Sequence, residues 1–306
     1  MTGMRRNRLF PGPRSSGSTQ SSRSRGAAAW GADAPYAIAE AIRCSPRSSE
    51  AWCMSVVPQS ATIIGSPVSP YVRKVLTACE MKGVPYRLDP IVPFFGDDRF
   101  GELSPLRRIP VFIDERVSLC DSTVISEYLE DRFRAPRMLP ATPELRARAR
   151  WLEEFADTRM GDVFVWRIFY EAVILPFIFQ KPRNKKKIEM AVAEQLPEVM
   201  AYLEKLAPGE GFLCGEMSMG DIAVAVHFSN LRWARIEVEK DRWPKTCAWV
   251  DRTQATPALA KVTRLGEMLV QTPPGGHHAE LANLGVPLTE TTLATDTPRR
   301  GPMSVE

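Results

Sequence analysis

Apolar and polar positions alternate in a way that divides the chain into two kinds of segment. Ala61-Thr62-Ile63-Ile64 is a short β-branched run ending at Gly65, which predicts a strand and a turn. Val72, Val75, Leu76 and Cys79 then recur at helical spacing, and Lys82-Gly83 closes the helix. Tyr86 to Val92 predicts a second strand, weakened in its middle by Pro90. After an irregular segment, Ile109 to Ile113 and Val117 to Leu119 predict two more strands, joined by Asp114-Glu115-Arg116. Ser122 is placed to cap a helix with apolar positions Ile125, Tyr128 and Leu129. This βαβ-ββα order predicts a small mixed sheet with helices packed on it.

Pro136, Pro140 and Pro143 mark a linker, and beyond it every apolar stripe is helical. Leu145, Ala149, Leu152 and Phe155 form one stripe; Ile188, Val192, Leu196, Val199 and Leu203 form another. Ile222, Val226 and Leu231 continue the pattern, as do residues 249–265. The reading is an α/β domain over 58–137 and an all-helical domain over 138–270. From Gln271 the composition turns to Pro, Gly, Thr and acids, so 271–306 is expected to be a mostly disordered tail.

Charge changes the picture at one end only. Residues 1–53 hold eight arginines and three acids, a net of +5 in a chain whose total is +4. The body therefore has no positive excess to attract nucleic acid or an anionic membrane. Residues 1–57 are read as an Arg- and Ser-rich disordered leader. A targeting peptide and upstream sequence ahead of a start at Met54 are the other readings. Six scattered cysteines with no CxxC pair argue against a zinc or dithiol site and for a reduced intracellular setting, here the cytoplasm. No apolar run is long enough to span a bilayer, and the His277-His278 pair does not by itself make a metal site.

Four local motifs carry chemistry. Ser69-Pro70-Tyr71-Val72-Arg73-Lys74-Val75 follows the first strand, and Pro70 at the first helical position makes Ser69 the N-cap. Ser104-Pro105-Leu106-Arg107-Arg108-Ile109-Pro110-Val111-Phe112 leads into the third strand. Asp121-Ser122 opens the next helix, where free backbone N–H groups suit an anion. Ser218-Met219-Gly220-Asp221 reads as a capping box, with Met217 and Ile222 as its hydrophobic staple. Each of these also reads as a purely structural cap or edge strand.

Taken in order, the four motifs resemble those of the soluble glutathione S-transferases, over roughly residues 60 to 265. Ser104 stands where that family usually has Asn, and Asp121 where it often has Glu. The resemblance implies a thioredoxin-like glutathione-binding domain followed by a helical substrate domain. It also implies glutathione as co-substrate, no metal, an electrophilic small molecule as second reactant, a role in detoxification, and a homodimer. Ser69 would steady the glutathione thiolate, with Ser66 second in line and Tyr71 third. A free thiol with a pKa near 8.5 is only a few per cent ionised at neutral pH, so a hydroxyl donor and a helix N-terminus beside the sulfur both help. The family's second proline of this segment is cis, which would turn the backbone of Ile109 toward the cysteinyl part of the tripeptide. Arg108, or Arg107, would meet the glycine carboxylate, and Asp121 and Ser122 the γ-glutamyl end. A glutathione-dependent isomerase, dehalogenase or ether-cleaving enzyme, and a non-catalytic binding protein, remain alternative outcomes of the same resemblance.

Overall fold

The computed structural model describes residues 60–299. The expected leader lies outside them. Strand β1 (Ala61–Ile64) is followed by helix α1 (Pro70–Lys82), strand β2 (Tyr86–Asp89), a single 3-10 turn (Pro93–Phe95) and helix α2 (Asp98–Leu103). Strands β3 (Val111–Ile113) and β4 (Ser118–Cys120) and helix α3 (Ser122–Arg132) complete the first half. The sheet order is β2-β1-β3-β4. β1 runs parallel to β2, with Ile63 beside Leu88, and antiparallel to β3, with Ile63 beside Phe112. This is the expected mixed sheet, slightly trimmed: Pro90 ends β2 early, and β3 begins only after Pro110. The segment expected to be irregular contains α2, capped by Asp97 accepting from the Phe100 N–H at 2.8 Å.

Gly65 explains how the chain leaves β1. Its φ is +142°, and a Cβ there would sit 2.7 Å from Val72 Cγ2 and 2.9 Å from the Ile109 Cβ. Only glycine lets the β1–α1 loop pass this close to the residues that frame the site.

The second half is helical, as expected. Helix α4 (Pro143–Phe155) runs on without a break into a π-wound stretch (Ala156–Ile174) and a last turn, α5 (Leu175–Ile178). Then come α6 (Lys185–Met190), a π turn (Ala191–Gln195), α7 (Leu196–Leu206), α8 (Met219–Trp233), α9 (Pro244–Gln254) and α10 (Pro257–Leu269). Helix α8 is the hub, packed against α1, α4, α9 and the π-wound stretch. Twelve of its 15 residues are buried, so it lacks the polar stripe of a surface helix. Asp221 anchors its start. One carboxylate oxygen takes the N–H and hydroxyl of Ser218 (2.8 and 2.6 Å), and the other takes the Leu213 N–H and Trp249 Nε1 (3.0 and 2.7 Å). The expected capping box is thus also a tie between α8 and α9. Among the described residues, no helix is long and apolar enough to cross a membrane.

Residues 271–299 depart from the disordered tail that composition predicts. A short helix α11 (His277–Asn283) docks its Leu281, and the chain then follows the outer edge of β2. Leu88 N–H donates to the Pro287 carbonyl (2.9 Å), and the Thr289 N–H donates to the Leu88 carbonyl (3.2 Å). The Asp89 carboxylate receives the Thr292 hydroxyl and the Leu293 N–H (2.7 and 2.8 Å). A polar composition hides this order because the binding comes from backbone pairing with an open strand edge, plus two well-separated leucines, Leu281 and Leu293.

Candidate active site

A cavity of about 670 Å3 lies between the loops at the ends of the sheet and the long helix of the second half. Ser69, Arg108, Ile109, Asp121 and Ser122, separated by up to 53 positions in sequence, all line it.

Ser69 caps α1 as expected, its hydroxyl oxygen accepting the Val72 N–H at 3.4 Å. That bond uses an oxygen lone pair and leaves the hydroxyl proton free for a ligand beside the positive end of the helix. Ser66 is in a different situation. Its oxygen lies 3.3 Å from Nδ1 of His277 and accepts the Val68 N–H at 3.4 Å. Tyr71 also lines the cavity, but its hydroxyl donates to the Asp157 carbonyl at 3.2 Å. Burial, and next the charge of Asp157, push its pKa far above the ordinary phenol value. The tight seat behind it requires Gly161, where any Cβ would collide with the Tyr71 hydroxyl.

The Ile109–Pro110 bond is cis, and Ile109 faces the cavity directly before β3. The two neighbouring arginines separate cleanly. Arg107, at φ +50°, turns its guanidinium back onto the Gly96 and Asp97 carbonyls and over the Phe100 ring. Arg108 lines the cavity, with its backbone held from both sides by the buried Ser104 hydroxyl (2.9 Å from its N–H, 2.8 Å from its carbonyl). Ser104, unusual in place of Asn, thus serves as a backbone clamp.

At the other end the structure corrects one expectation. The N-cap of α3 is Asp121, not Ser122. Asp121 has φ +82°, a strained conformation for a residue with a side chain, and its Oδ1 accepts the Thr123 and Val124 N–H groups (2.9 and 3.2 Å). Being one residue earlier and turned into the left-handed region brings its carboxylate over the first amides, which Ser122 in the first turn cannot do. Oδ2 of Asp121 is left for a ligand. Asp157 stands nearby. Its Oδ2 takes Lys74 Nζ (2.6 Å) and the Thr123 hydroxyl (3.0 Å), while Oδ1 is buried without a partner among the described residues. Burial raises the Asp157 pKa, and Lys74 only partly offsets that.

The β1–α1 loop is fastened from behind by Arg73, which has no exposed surface. Its guanidinium donates to the Pro67 and Val68 carbonyls (2.7 and 2.9 Å) and, across the domain boundary, to the Val226 carbonyl and Asn230 Oδ1 (both 2.6 Å). Asn230 Nδ2 in turn donates to the Val68 carbonyl (3.2 Å). The charge also lies over the Trp233 ring, 4.5 Å from its centroid. Burial, with the Arg232 charge adding to it, lowers the Arg73 pKa to about 9, so it stays a cation at neutral pH.

Sequence periodicity did not assign the far wall. Trp166, Phe169, Tyr170 and Phe177 form it with Phe94, whereas Phe164 is core and Trp151 is exposed. A 3.6-residue repeat misplaces faces along a stretch wound with π turns, so no spacing rule separates these aromatics. His277, from the expected tail, was missed for the same reason as the tail itself. The arrangement offers a hydroxyl at a helix mouth, an arginine and carboxylates to orient a zwitterion, and an apolar aromatic wall.

Comparison with known proteins gives one picture. The glutathione S-transferase N-terminal domain matches residues 63–137, and the glutathione S-transferase C-terminal domain matches residues 171–263. A stringent starvation protein A homolog of Haemophilus ducreyi is 30% identical over 155 residues, 51% of this chain and 67% of that protein. Glutathione S-transferase U2 of Arabidopsis thaliana is 29% identical over 166 residues, 53% of this chain and 67% of that one. The crystal structure of a glutathione S-transferase from Sinorhizobium meliloti superposes with a TM-score of 0.62 at 26% identity, covering 73% of this chain and 99% of that one.

Proposed function

Because this chain belongs to the glutathione S-transferase family, we propose that it binds glutathione in the described cavity and transfers the thiolate to an electrophilic small molecule. The free hydroxyl proton of Ser69 at the α1 N-terminus carries this reading. Glutathione enters with its γ-glutamyl end toward Asp121 and Ser122 and its cysteinyl backbone along Ile109. Its glycine carboxylate meets Arg108. The thiol then loses its proton to solvent. The remaining S– accepts the Ser69 hydroxyl and lies at the positive end of the helix, both of which favour the ionised form. An apolar electrophile held against Trp166, Phe169 and Tyr170 is placed beside the sulfur, and the rate gain comes from ionisation plus placement. The protein so read is a cytoplasmic homodimer, which sedimentation and fractionation would check.

The test is the absorbance of bound thiolate across pH. In the wild type the bound thiol should titrate below its free value of about 8.5, and Ser69→Ala should raise that midpoint by about 1–2 pH units. An unchanged midpoint in the variant would reduce Ser69 to a helix cap. One relative is named for stringent starvation and not for transfer, which favours a binding protein as the second reading. Retention on immobilised glutathione, without turnover of any electrophile tried, would select it.

A further inference from the structure

His277 reaches the site from a part of the chain beyond the matched family span, which ends at residue 263. It is buried and lines the same cavity as Ser69. Its ring meets four groups, one of them the Leu269 carbonyl. Nε2 is 3.0 Å from the Thr272 carbonyl, and Nδ1 is 3.3 Å from the Ser66 hydroxyl and 3.4 Å from the Pro90 carbonyl. Each ring nitrogen faces a carbonyl, which cannot donate, so the single proton of the neutral imidazole belongs on Nε2, at the shorter Thr272 contact. Nδ1 is then an acceptor, and Ser66 is the one group beside it with a proton to give. Burial lowers the His277 pKa, in keeping with a neutral ring. Ser66 Oγ meanwhile accepts the Val68 N–H, so that hydroxyl donates to the C-terminal segment and accepts within its own loop.

We propose that His277 is a positioning residue: by accepting the Ser66 proton it locks the Ser66–Ser69 loop against the C-terminal segment and leaves Ser69 as the hydroxyl that addresses the sulfur. The geometry has a chain of support. Thr272 orients the ring, the ring orients Ser66, and Ser66 holds the Val68 amide one residue from Ser69. Arg73 secures the same loop through the Pro67 and Val68 carbonyls on its other side. The segment along β2 keeps α11, and so His277, in place. In this chain the proposed glutathione site therefore draws on residues beyond the matched domain span, which ends at residue 263.

The inference rests on the glutathione reading, and its test separates the two. Amide hydrogen exchange at residues 66–69 is measured without glutathione, and the bound thiol is titrated by absorbance, in wild type, Ser66→Ala, His277→Ala, the double variant and His277→Asn. Exchange at Val68 should quicken roughly fivefold in either alanine variant, the loss of one hydrogen bond. The thiol midpoint should rise in both. The double variant should do no more than either single one, because the two residues act as a unit. His277→Asn, whose Oδ1 replaces the Nδ1 acceptor, should recover most of both effects, which also guards against an alanine variant that does not fold. Unchanged exchange and thiol midpoint in His277→Ala, additive effects in the double variant, or no recovery with asparagine would each overturn the proposal. If wild-type protein leaves the thiol at its free midpoint, the transferase reading fails, while the exchange data still decide whether His277 locks the loop.

Discussion

Arg73 and Lys74 are consecutive residues of α1, both with no exposed surface, and they solve the burial of a positive charge in opposite ways. Among the described residues Arg73 has no carboxylate partner: three backbone carbonyls and one amide oxygen surround it. Lys74 sits between Glu153 (2.9 Å) and Asp157 (2.6 Å), with the Thr123 hydroxyl at 3.1 Å. The arginine makes four hydrogen bonds from its two terminal nitrogens to the site loop and α8, so it fixes positions. The lysine is a point charge against two acids, so it fixes electrostatic balance between α1, α3 and α4. The difference teaches that the two domains meet over α1 by two separate devices, of which only one should respond to pH.

Replacement of each residue sharpens that contrast. Arg73→Met should be the most damaging change, about 3–5 kcal/mol in chemical unfolding, because four buried oxygens each lose a donor together. The deficit should stay level between pH 7 and 5, since no carboxylate is stranded. Lys74→Met should cost about 3–5 kcal/mol at pH 7, at most as much as the arginine change, by leaving Glu153 and Asp157 buried with less compensation. Its deficit should shrink as pH falls. Without the lysine, burial raises the folded pKa of Asp157 above its unfolded value, the folded state then binds more protons, and acidification favours it. Equal pH response in the two variants would break the distinction.

His227 tests the same region, within the field of both cations. It is fully buried with Nδ1 on the Ala223 carbonyl at 2.7 Å, while Nε2 has no partner among the described residues. Burial, and then the charges of Arg73 and Lys74, lower its pKa to about 3. A histidine with a depressed folded pKa contributes full stability above its unfolded value of about 6.5 and loses it as pH falls toward 3. His227→Phe should flatten that slope, removing a loss on the order of a few kcal/mol between pH 6.5 and 4. Smallest is Asn230→Ala, about 1–2 kcal/mol. It deletes one acceptor of Arg73 and one donor to Val68 but leaves the three backbone carbonyls in place.

Much of this was legible in the chain. Ser69-Pro70 at the mouth of α1, Gly83 at its end, and the Ser218–Asp221 cap are readable from residue chemistry and stand where expected, Gly83 taking a φ of +64°. Caps are legible because their partners lie within a few positions. Arg73 and Lys74 were not, because on a helical wheel they belong to the polar side of α1. What buries that side is α8 and α4, about 80 to 150 residues later. The aromatic wall was hidden by winding, and the C-terminal segment by a polar composition that backbone pairing overrides. Ser122 as helix cap was wrong by one residue, since a wheel cannot foresee the positive φ at Asp121.

The segment laid along β2 has one more consequence. A sheet normally presents two raw borders at which a foreign strand can add itself, and each is a route to polymerisation. Here a later segment of the same chain, residues 287–293, lies along one border, so growth is left to the β4 side, where three residues are on offer. Trimming the last thirty or so residues would therefore do more than remove His277: it would uncover a second seam and turn a self-limiting fold into one able to stack on its neighbours.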